Sequence, residues 1–177
     1  MRPLLARLID AGGAIAGAFV FAIFFVMLAA TVMRTFGLRT GGSDDVVSWM
    51  TAAAAFFGLA HTFKHGDFVR VGLLLEKMPP PVRHAFEVAS LAVGTAFTGF
   101  LSWSITQYVM DSRTFGDMAG GLVVIPIWIP QSSLVIGSVL LCVAVADQFI
   151  HVLRGHRPDY VVAVEERHAR GDFSEDV

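Results

Sequence analysis

Charge is scarce in this chain. Only 16% of its 177 residues are Asp, Glu, Lys or Arg, where a soluble domain carries about a quarter. With 55% of the residues hydrophobic, the shortage points to lipid as the solvent. A basic excess is lacking too. The formal net charge is -2 and the pI near 6.3, so nothing is available to hold a phosphate backbone, and nucleic acid is excluded as a partner.

Cysteine is reduced to Cys142. A lone thiol forms neither an intramolecular disulfide nor a cysteine metal cluster. This excludes the quinone-linked thiol oxidases, a four-span class that needs cysteine pairs. Lying in an apolar run, Cys142 is expected to be a small buried hydrophobe.

What is present is long apolar runs. At a rise of ~1.5 Å per residue, about 20 apolar residues cross ~30 Å of hydrocarbon. Four segments qualify: residues 12–33, 46–63, 88–110 and 127–150. The first is too long for the apolar stretch of a cleavable signal and is read as a retained span. The expected fold is therefore an all-α integral membrane protein with four transmembrane helices, a membrane domain over 1–153 and a charged tail over 154–177. Between spans two and three, Phe68, Val69, Val71, Leu73, Leu74, Leu75 and Met78 alternate with Asp67, Arg70, Glu76 and Lys77. That pattern predicts an interfacial segment lying along the headgroups before Pro79, Pro80 and Pro81 turn the chain back. The tail, rich in charge and without a clear apolar face, is expected to fray.

Basic residues set the orientation. Ten of the 13 Lys and Arg fall in the N-terminus, second loop and tail. The other three, Arg34, Arg39 and Arg113, fall in the first and third loops. Both termini are thus expected on the cytoplasmic side.

The span middles carry no ionisable side chain, although ion and substrate pathways usually need one. Asp147, near the end of span four, is expected to reach the interface or pair with Arg154. His61 and His65 have the i, i+4 spacing that puts two imidazoles on one helix face. The other histidines fall in the second loop and tail region, so no metal or haem site is expected. The serines Ser102, Ser104, Ser132, Ser133 and Ser138 lack a histidine at their depth, so no catalytic residue is expected either. Gly13 with Gly17, and Gly94 with Thr98, have the spacing of close helix approach. Trp49, Trp103, Trp128 and Tyr108 read as interface anchors.

Several stretches together carry a family resemblance. They are VMRTFG, with Arg34 closing span one; SDDVVSWMTAAAAFFGLAHTFKHGDFVRVGLLLEKMP, with Asp45 opening span two and Gly58 within it; and IPIWIPQSSLVIG, with Pro126 and Trp128 leading into span four. The pattern resembles the DctQ-type small membrane subunit of TRAP transporters, over roughly Leu8 to Leu153, with Asp45 where glutamate is commoner. The resemblance implies a scaffold that packs on a large permease subunit carrying substrate and sodium. A periplasmic solute-binding protein would deliver an organic acid. Arg34, Asp45, Trp49, Gly58, Gly94, Trp103, Pro126 and Trp128 are then candidates for subunit contact or structure, with membrane lipid as the remaining partner. No enzyme activity is implied, and no cofactor in this chain. Arg34 and Asp45, one closing span one and the other opening span two, are expected to form an ion pair. The alternatives are a self-contained tetraspan channel or small exporter, and a membrane anchor for an electron-transfer enzyme.

Overall fold

The computed structural model describes residues 3–38, 40–66 and 79–170. Five helices follow in order: α1 Pro3–Thr35, α2 Ser43–His65, α3 Pro80–Phe115, α4 Trp128–Leu153 and α5 Asp159–Ala169. The first four are long and apolar enough to cross a membrane. They alternate in direction, so the chain has a terminal face, where α1 begins and α4 ends, and an opposite hairpin face with the α1–α2 and α3–α4 loops. The expected interfacial segment falls almost wholly outside the described residues.

Local chemistry sets the helix ends. α2 starts after Gly42, whose φ of 86° an L side chain rarely adopts, and carries Asp44 and Asp45 in its first turn. Carboxylates are favourable there because the helix dipole is positive at that end. Lys64 and His65 fill the last turn, and Gly66, at φ 79°, closes it. Pro79 precedes α3 in an extended conformation and Pro80 begins the helix, where its missing N–H costs no intrahelical bond. α3 has 36 residues, about 54 Å at the usual rise, and therefore outruns the hydrocarbon. Its first turns, with Arg83 and Glu87 paired at 3.2 Å, extend past the apolar run.

α1 packs on α2, α2 on α4 and α4 on α3, with a lesser contact between α1 and α4. Small residues make these approaches close. A Cβ on Gly13 would run into the His61 ring, and one on Gly58 would sit 3.7 Å from Ala16. Phe19 stacks on Phe57 at 6.3 Å. Between α2 and α4, a Cβ on Gly137 would lie 2.6 Å from the Phe56 backbone. Between α3 and α4, Gly94 faces Val145 and Gly99 faces Cys142. Cys142 is only partly buried, in that helix contact.

The core lies towards the terminal face, where Ile9, Ala60, Phe63, Leu91, Leu141, Ala144, Val145, Val152 and Tyr160 cluster. Outward-facing side chains on the two flanks are large and apolar. α1 presents Phe21, Phe24 and Phe25, and α3 presents Val93, Phe97 and Phe100. Such surfaces suit lipid, which is as apolar as they are.

The tail departs from expectation. Instead of fraying from Arg154 on, the chain turns at Gly155 and forms α5, which packs on α2. The stretch DYVVAV is the reason: Tyr160 is 3% exposed and meets the Phe63 ring edge-on at 5.8 Å. Burying one aromatic contributes on the order of 2 kcal/mol, and Val161 of the same helix adds to it by packing against the core.

Candidate functional site

Polar chemistry gathers at the two faces of the bundle. On the hairpin face, the α3–α4 connection is a tight turn-back in which the Ala119 N–H donates to Ile125 at 2.9 Å and the Ile127 N–H to Asp117 at 3.0 Å. Its tip presses on the start of α2. The Asp45 carboxylate accepts the Leu122 N–H at 2.9 Å and the Val123 N–H at 3.5 Å. Gly121 has no room for a side chain because that carboxylate fills the space, and Gly42 is closed off by Val123 in the same way. Nearby, Arg113 lies over the Trp128 ring at 5.3 Å, a cation–π contact joining α3 to α4.

These contacts correct one expectation. Among the described residues Asp45 makes no ion pair with Arg34, which is exposed at the end of α1. Backbone amides of the other hairpin meet the needs of the carboxylate, so no cation is required.

At the terminal face Asp10 of α1 meets Lys64 of α2 at 2.6 Å and His61 at 3.7 Å. The Lys64 ammonium also reaches the Ala6 carbonyl at 3.4 Å. The His65 ring lies 4.1 Å from the His61 ring, and its Nδ1 is 2.9 Å from the His61 carbonyl. Gln148 of α4, 1% exposed, ties the tail down. Its amide donates to the Asp159 carboxylate at 2.6 Å, and its carbonyl accepts the Asp159 N–H at 3.0 Å. His151 lies 3.6 Å from the same carboxylate. Burial works to raise the Asp159 pKa, but the Gln148 hydrogen bond and the nearby His151 are among the groups that outweigh it, and the carboxyl sits below its ordinary value.

Asp147 is half-buried on α4 and forms no ion pair with Arg154 among the described residues. Arg154 lies beyond the helix end, exposed, at its C-cap. Of the other sequence candidates, Gly58 and Gly94 sit in helix contacts. Trp103 is 61% exposed on the outer side of α3 beside Phe100. Trp49 is half-buried on α2, and Pro126 closes the turn-back by bridging to Met118. The fold brings Asp45 against the turn-back that Pro126 closes and Trp128 follows, whereas Arg34 is exposed at the end of α1 and Gly58, Gly94 and Trp103 lie along the helices.

Three contributors were missed in the sequence: Asp10, Gln148 and Gly121. Asp10 lies just before the first apolar run, and Gln148 looks like one more polar residue near a helix end. For Gly121 a signal existed, since paired glycines in a short loop mark a place where backbone must come close to something.

The span interiors hold hydroxyls in place of charges. Thr98 donates to the Gly94 carbonyl at 2.8 Å and Ser138 to Val135 at 3.1 Å, so both are satisfied within their own helices. A groove of about 390 Å³ opens between α1 and α2 near the hairpin face, lined by Val26, Ala30, Met33, Thr40, Gly42 and Val46 among others, none of them charged. An organic anion would find no counter-charge there.

The family described as tripartite ATP-independent periplasmic transporters, DctQ component, matches residues 23–155. No curated protein matches the chain well enough to count as a relative. The match takes in the turn-back, Asp45 and all of α2, α3 and α4, and it leaves out most of the Asp10 side of the terminal cluster. Four membrane-spanning helices with uncharged middles and this family match place the chain in the DctQ family, as the small membrane component of a TRAP transporter.

Proposed function

We propose that this chain is a static frame for the large permease subunit of its transporter. It lies in the bacterial inner membrane with both termini cytoplasmic, the orientation that the distribution of basic residues favours. The large subunit carries the substrate and the coupling ion, sodium. A periplasmic solute-binding protein delivers an organic acid to it. The observation that carries this reading is the uncharged interior of all four spans, since transporters place substrate and ion sites at mid-membrane on charged or unwound positions. A frame needs rigidity instead. The bundle is tied at one face by Asp45 on the turn-back and at the other by the Asp10–Lys64 and Gln148–Asp159 contacts.

Reconstitution tests this. In liposomes, the chain alone should neither bind nor move an organic acid, while the large subunit should need it for full sodium-driven uptake. Saturable uptake by the isolated chain would overturn the proposal and favour a small exporter.

A further inference from the structure

We propose that Asp10, His61 and His65 form a binding site for a borderline divalent cation of the zinc class, joining α1 to α2 at the terminal face. Their ligand atoms all lie within 4.8 Å of one another. Two imidazoles and one carboxylate are a donor set that suits zinc, with bonds of about 2.0–2.2 Å. Tetrahedral ligand atoms at that bond length stand about 3.3 Å apart, so the cluster closes by side-chain rotation without moving either helix.

Three further features prepare the site. Because a carbonyl can only accept, the 2.9 Å contact to the His61 carbonyl fixes the proton of His65 on Nδ1. The lone pair is then on Nε2, and this is the outer-shell hydrogen bond that metal-bound histidines typically make. Gly13 seats the second imidazole, since a Cβ there would collide with the His61 ring. Asp10 is exposed and both histidines are half-buried, which leaves a route in from the aqueous side.

Lys64 is the competitor. Its ammonium stands 2.6 Å from Asp10 Oδ1, a cation already on the oxygen that a metal would use. Its positive charge opposes a second cation on the same carboxylate, so Lys64 lowers the affinity and its removal raises it. His61 and His65 by themselves gave no reason to expect a metal. The third ligand comes from a helix more than 50 residues earlier in the chain, |i−j| being 54 for the Asp10–Lys64 contact.

The test uses the full chain in detergent, purified without a histidine tag, stripped with chelator and titrated with zinc chloride by calorimetry. One zinc per chain is expected. Asp10→Asn and His65→Gln should each weaken binding at least tenfold, and zinc should raise the melting temperature of the parent but not of His65→Gln. Lys64→Met should bind several-fold tighter, a gain that a folding defect cannot produce. Replacing His151 and His156 together by Gln should change nothing. No zinc binding by the parent, no gain in Lys64→Met, or loss only in the His151/His156 variant would overturn the site.

Discussion

The Asp45 carboxylate occupies the space in which Gly121 would carry a side chain. Two residues far apart in sequence are thereby fitted to one another, and each restricts the other. Gly121→Ala should destabilise the bundle by about 1–3 kcal/mol, the usual cost of overpacking. Asp45→Ala should cost a similar amount by leaving the Leu122 and Val123 amides without their acceptor. The two changes should be non-additive, because alanine at 121 fits once the carboxylate is gone. Thermal unfolding of the two single variants and the double variant in detergent checks this, and additive losses would reject the fit. Arg34→Ala should be close to neutral in the same assay.

Gly137 and Gly94 should respond differently to alanine. At Gly137 the new methyl meets the Phe56 backbone at 2.6 Å, which cannot move without shifting α2, so a loss of about 1–3 kcal/mol is expected. At Gly94 it meets Val145 at 3.5 Å, an ordinary contact. There the better helix propensity of alanine, up to ~1 kcal/mol in water, should leave stability unchanged or slightly raised. Melting temperatures of the two variants decide it; equal losses would place the α2–α4 contact elsewhere.

Docking of α5 should depend on pH through Asp159. The folded pKa lies below the ordinary value of 3.8. The ionised carboxylate therefore contributes stability that is fully present above that value and is lost as pH falls through the folded one. Hydrogen-exchange protection of α5 should be constant from about pH 7 to 5 and should collapse only below the ordinary carboxylate range. Asp159→Asn should remove this dependence. A collapse between pH 5 and 6, or one that persists in Asp159→Asn, would reject the assignment.

The topology can be read by labelling. In a Cys142→Ala background, a cysteine at Ser43 should react with an impermeant thiol reagent from the periplasmic side. One at Ser174 should react only after the membrane is opened. The reverse pattern would invert the orientation that the basic residues favour.

Much of this architecture was legible in the sequence because hydropathy over ~20 residues reports directly on crossing a membrane. The same signal placed Gly58 inside a span, where its packing role follows from its size. Asp45 was legible as a residue that needs a partner, but its partner was not. A carboxylate bound by backbone amides leaves no charged residue to find, and Arg34, closing span one where Asp45 opens span two, stood out instead. The tail misled for a related reason. Its charge outweighs one short apolar stretch, and whether Tyr160 finds a pocket depends on Phe63 and the end of α2. Asp10 was invisible because its meaning comes from being set beside His61 and Lys64 across a helix contact.

The order of helix contacts bears on how the chain is built. α1 and α2 pair with each other, α3 and α4 pair with each other, and the α2–α4 seam is the main junction between the two hairpins. During synthesis α2 is complete roughly 60 residues before α4 begins, an interval of several seconds at ~5–20 residues per second. Through that interval the side of α2 bearing Phe56, which Gly137 will meet, waits in lipid without α4. Because lipid is no less apolar than that side chain, waiting costs little. For the same reason apolarity cannot drive the late joining. The second hairpin must displace lipid by the fit of its surface, and at Gly137 the space a side chain would need is taken by the Phe56 backbone.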